Sequence, residues 1–128
     1  MNPEAMRSLV ERYIDAYNRK DVAAMLALVH PQVKFRNIAG GEVNASTHGI
    51  AELEALARQS LALFSERRQT LQTFASQGPV AMVTVAFHAV VAADLPALGL
   101  KQGDVMDLAG RSEFEFRDGL ISKITDIS

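Results

Sequence analysis

The 128-residue chain is 48% apolar and 22% charged, a globular balance that excludes long disorder and predicts one domain over residues 1–128. Its 13 Lys and Arg against 15 Asp and Glu leave a net charge of −2, so no basic field exists to attract nucleic acid. Without cysteine there is no disulfide, thiolate nucleophile or zinc–cysteine site, and no apolar run approaches the ~20 residues of a membrane span.

The opening Met1-Asn2-Pro3-Glu4 carries neither a basic nor an apolar stretch, so no secretion signal is read and a cytoplasmic location is expected. Asn2 can cap a helix and Pro3 suits its first position. Met6, Leu9, Val10, Tyr13, Ile14 and Tyr17 follow at helical spacing. Asp21 opens a short second helix through Val22, Met25, Leu26 and Val29. His30-Pro31 should end it, because a residue before proline avoids the α region, and His30 then sits at a helix C-terminus. Val33, Phe35 and Asn37 alternate with Lys34 and Arg36 as a half-buried strand. Gly40-Gly41 turns into a shorter strand over residues 42–45. Helical spacing returns over residues 49–64. Strands are predicted over 67–76, 80–92 and 105–117, and the Asp118-Gly119 turn leads to a last strand over 120–127.

Helices first and hairpin-linked strands afterwards indicate an α+β fold with a mostly antiparallel sheet. Strands this long twist, so the sheet should curl around the helices and enclose a cone-shaped cavity. In the strand over 80–92, Val83, Val85, Phe87 and Ala89 share one face, and Met82, Thr84, Ala86, His88 and Val90 the other. Both faces are apolar enough to be buried. The economical cover for the second is another copy, so a homodimer is expected with His88 at its interface. In the strand over 105–117, Arg111, Glu113 and Glu115 suit solvent or a dimer partner, which turns Ser112 and Phe114 toward the cavity. His30, His48 and His88 form no metal-binding spacing, so neither a metal nor a cofactor is expected.

Three strings carry a family likeness: residues 13–21 (YIDAYNRKD), residues 28–31 (LVHP) and residues 111–121 (RSEFEFRDGLI). The chain resembles the SnoaL-like branch of the nuclear transport factor 2-like superfamily over essentially its whole length. The resemblance implies the cystatin-like cone, three helices on a strongly curved sheet. It leaves function open, since that family includes isomerases, polyketide cyclases, epoxide hydrolases, dehydratases and plain binding modules. By likeness to its ketosteroid isomerase, Tyr13 matches the tyrosine that donates to the oxyanion, Asn37 the position of the aspartate base, and Ser112 that of the acidic oxyanion partner. An amide has no basic lone pair, so isomerisation by that route is not expected. Val85 and Phe87 fall on the cavity wall by the same resemblance.

The expected function is therefore binding of a small hydrophobic molecule, with Tyr13, Asn37, Val85, Phe87, Ser112 and Phe114 as its site. One alternative is an isomerase, polyketide cyclase or epoxide hydrolase-type enzyme, which needs an inward carboxylate or histidine. Another is an association module whose cavity is filled by its own side chains. Asp15 and Asp126 are the remaining carboxylates of interest. Ile121, Ile124 and Ile127 do not alternate, so Asp126 reads as a solvated edge charge.

Overall fold

Caps and glycine turns place most element boundaries. In a computed structural model describing residues 1–128, α1 runs Pro3–Asn18, and Asn2 Oδ1 accepts from the Ala5 N–H at 2.8 Å. Its buried stripe is Met6, Leu9, Val10, Tyr13, Ile14 and Ala16. Asp21 caps α2 (Val22–Leu26) through the Ala24 N–H. The strands are β1 (Val29–Ala39), β2 (Glu42–His48), β3 (Phe64–Gln77), β4 (Val80–Val91), β5 (Val105–Arg117) and β6 (Leu120–Ile127), with α3 (Ile50–Ser60) between β2 and β3. Asp118 and Gly119 both take positive φ (55° and 75°), as the two-residue turn between β5 and β6 demands.

The six strands form one curved, unclosed sheet in the order β2-β1-β6-β5-β4-β3. β1 and β6 run parallel, and every other pair is antiparallel. This is the expected α+β cone. The helices pack on its concave face, and their apolar stripes meet Val83, Val85, Phe114, Phe116, Ile121 and Ile124 in one core.

Three expectations are corrected. His30 lies in β1, not at a helix end. The Leu28 carbonyl accepts from the Ile121 N–H at 3.0 Å and Val29 pairs with Ile121, so sheet pairing takes the chain before proline can end the helix. His30 Nε2 lies 3.4 Å from Asp118 Oδ2. The third helix stops at Ser60, not residue 64. Phe64 already pairs with Val91 and packs edge-on against Phe87, ring centroids 5.7 Å apart. β6 is an interior strand, so Asp126 is not an edge charge.

Candidate functional site

Two hydrogen-bond ladders build the centre of the site. Asp126 on β6 lies opposite Asn37 on β1 and Ser112 on β5, and Ser112 lies opposite Val83 on β4. The result is a polar row, Asn37–Asp126–Ser112, crossing three strands of the concave face. Asp126 points inward because of a β-bulge. Glu115 pairs with Lys123 but Phe116 with Ile121, which leaves Ser122 as an extra residue. Ile121 and Ile124 are thereby both buried although three residues apart, and Asp126 shares the face of Ile124. That three-residue spacing was the sequence signal for the bulge.

The row opens into a cavity of about 480 Å³ between sheet and helices. Tyr13, Asn37, Val85, Phe87, Ser112 and Phe114 all line it, as do Asp126, Tyr17 and Arg67. Asp15 does not: it is a surface residue paired with Arg19 at 2.8 Å. Nor does His88, which is exposed on the convex face with Nδ1 2.7 Å from Asp107 Oδ1. His48 ends β2, and its N–H donates to Glu52. A second concavity of about 510 Å³ lies by Met1, Gly78, Pro79 and Gly119. Met6 of α1 and Phe116 of β5 also line it, and it holds no buried polar side chain. No three His, Asp or Glu side chains gather where they could hold a metal ion.

Ser112 Oγ donates to Asp126 Oδ1 at 2.7 Å, and no protein group donates to Oδ2. Asp126 is half-buried where it lines the cavity, and burial pushes its carboxyl up to about 6, against a smaller downward pull from Ser112. The Tyr13 ring packs edge-on against Phe114 with centroids 6.2 Å apart, and its hydroxyl has no protein hydrogen-bond partner. Burial, then the charge of Asp126, pushes the Tyr13 hydroxyl far up, so it remains a donor. Asn37 Nδ2 donates to Asn44 Oδ1 at 2.7 Å across the β1–β2 hairpin, which fixes the amide's orientation.

Arg67, at the start of β3, was not singled out by sequence reasoning. Its guanidinium lies 3.8 Å over the Tyr17 ring and donates to the Tyr17 carbonyl at 3.1 Å. The available signal was parity: Arg67 and Gln69 fall on the face of Leu71, where an uninterrupted apolar stripe would be expected.

The chain belongs to the SnoaL-like domain family, whose model matches residues 10–124. No curated protein sequence matches it significantly. Among solved structures it is similar to a proposed polyketide cyclase from Xanthomonas campestris (TM-score 0.81, 23% identity, 100% of this chain and 93% of that one). It is also similar to AclR, a proposed hydroxylase from Streptomyces galilaeus (0.76, 15%, 98% and 89%). A proposed ketosteroid isomerase from Kribbella flavida is a third such structure (0.71, 23%, 98% and 78%). At these identities the likeness is one of fold.

Proposed function

We propose that the protein binds a small, mostly apolar carbonyl compound in the cavity and moves a proton on it, with Asp126 as the base. The observation that carries this reading is a carboxylate in the wall of a mostly apolar cavity, held by Ser112 through one oxygen and free of protein donors on the other. A base raised to about 6 is ionised at neutral pH yet more basic than an exposed aspartate, which suits proton abstraction. Asp126 would take a proton from the carbon beside the carbonyl, and the electron pair left behind would move onto the carbonyl oxygen. The Tyr13 hydroxyl, lacking an internal acceptor, is the donor available to that oxygen. Asn37, Ser112, Val85, Phe87 and Phe114 would orient and enclose the molecule. The base thus comes from β6, one strand away from the β1 position implied by the resemblance.

The test is exchange of α-protons into deuterated water, followed by NMR, over a panel of cyclic ketones and 1,3-diketones. The protein should accelerate exchange of at least one member, with a rate that rises through pH about 6 and then levels. Asp126→Asn should lower that rate by roughly 10²–10⁴-fold while binding persists. Equal acceleration by parent and variant would remove Asp126 as the base, and no acceleration by the parent would leave a binding protein without proton transfer.

For the convex face, the partner we propose is a second copy of the chain. No helix covers that side, and Met82 and Val105 are 52% and 61% exposed there.

A further inference from the structure

Arg67 is a cation that the fold withdraws from water without giving it a counter-ion. It is 7% exposed and takes part in none of the protein's ion pairs. Nη2 donates to the Tyr17 carbonyl at 3.1 Å, Nη1 reaches Ser60 Oγ at 3.5 Å, and the buried Nε–H meets no acceptor. A guanidinium has five N–H donors and does not shed its charge at any physiological pH. Two of the five are used, so three have no protein acceptor. Its two partners lie at the C-terminal ends of α1 and α3, where helix dipoles supply partial negative charge and soften the burial. A full charge is not neutralised that way. Stacking on Tyr17 covers one face of the group, Nε is closed off from the cavity, and the second N–H of each Nη is left for an acceptor in the cavity.

The position of Arg67 says what that acceptor is attached to. Arg67 pairs with Ala89, six residues along β4 from Val83 in the Asp126 row, roughly 20 Å of strand that sheet curvature and the long arginine side chain shorten. Both groups line the same cavity, with Val85 and Phe87 on the stretch of β4 between their rows. Tyr13 and Tyr17, one helical turn apart, are raised mainly by burial, and both also feel the two charges: Asp126 pushes their hydroxyls up and Arg67 pulls them down. The cavity therefore offers a cation at one end, an apolar middle, and a proton acceptor at the other.

We propose that the molecule bound there carries a carboxylate, which Arg67 grips, on a flat apolar body that reaches toward Asp126. The planar fork of a guanidinium matches a carboxylate, which would accept from the Nη donors that the protein leaves unmet. The inference rests on the cavity being a small-molecule site, and its test separates the two claims. The probes are 2-naphthoate and methyl 2-naphthoate, alike in body and different in charge, titrated at pH 7.5 with Kd read from protein NMR shifts. The acid should bind about tenfold or more tightly than the ester. Arg67→Gln should bring the two probes to equal affinity with little change for the ester. Arg67→Lys, which keeps the charge, should keep the acid ahead.

Equal binding of both probes to the parent overturns the carboxylate assignment and leaves the small-molecule site standing. Binding of neither overturns both. An acid preference that survives in Arg67→Gln overturns the role of Arg67 and makes it only a clamp between α1, α3 and β3. Should that variant fail to fold, the parent's acid-to-ester ratio and the Arg67→Lys variant decide the matter.

Discussion

The two faces of the sheet put the same kind of residue to opposite uses. On the convex face Asp107 lies 2.7 Å from His88, with the side chains 73% and 46% exposed. In the single chain that pair is open to water, and exposed ion pairs contribute only about 0–1 kcal/mol. On the concave face Asp126 also accepts at 2.7 Å, from Ser112, but the surroundings are Tyr13, Phe114 and the cavity wall. There the carboxyl is pushed up to about 6. An equal hydrogen-bond length thus accompanies unequal chemistry. Desolvation decides the difference, because removing water penalises the charged form.

The contrast can be broken most strongly from the convex side. If a second copy covers that face, Ala86→Asp buries an unpaired charge in the contact and costs several kcal/mol of association. Sedimentation should then show the parent as a dimer and the variant as a monomer at micromolar concentration. A parent already monomeric there would end the dimer proposal.

Next in size is Asp126→Asn, measured as stability rather than rate. A carboxyl raised on folding binds its proton more tightly in the native state than in the unfolded chain. Stability therefore falls as pH climbs from about 4 to about 6, and the cost persists above that. The uncharged amide escapes this cost, so the variant should be more stable than the parent by about 1–3 kcal/mol at pH 7.5 and nearly equal at pH 4. Thermal unfolding at the two pH values checks it. A variant less stable than the parent at pH 7.5 would mean that the carboxylate is supported, not strained. The smallest effect belongs to Asp107→Asn, which should change stability by less than about 1 kcal/mol, and by less still in high salt, since its partner is exposed.

Much of the fold is legible in the sequence. Asn2-Pro3, Asp21, Gly40-Gly41 and Asp118-Gly119 each act within a few residues, and a local rule finds them. The inward face of β5 followed from alternation with charged neighbours, which turned Ser112 and Phe114 to the cavity, whereas both faces of β4 are apolar and only the family likeness assigned Val85 and Phe87 to it. Boundaries failed where distant pairing competed with local spacing. Phe64 fits the helical period of α3, but its strand partner Val91 lies 27 residues away. His30-Pro31 looks like a helix end until β6 arrives alongside β1. Asp126 failed for a related reason: its parity depends on one extra residue, Ser122, accommodated against β5.

By itself, the sequence determined the α+β class, the helix caps, the hairpin turns and the alternation along each strand, since all of these depend on neighbours along the chain. Only the tertiary structure decided that β6 is an interior strand and that Asp126, Ser112 and Asn37 stand in one row. It alone brought Arg67 to the Tyr17 ring, 50 residues away. The physical reason is that a carboxylate or guanidinium acquires unusual chemistry from the water it loses, and that loss is set by strands and helices remote in sequence.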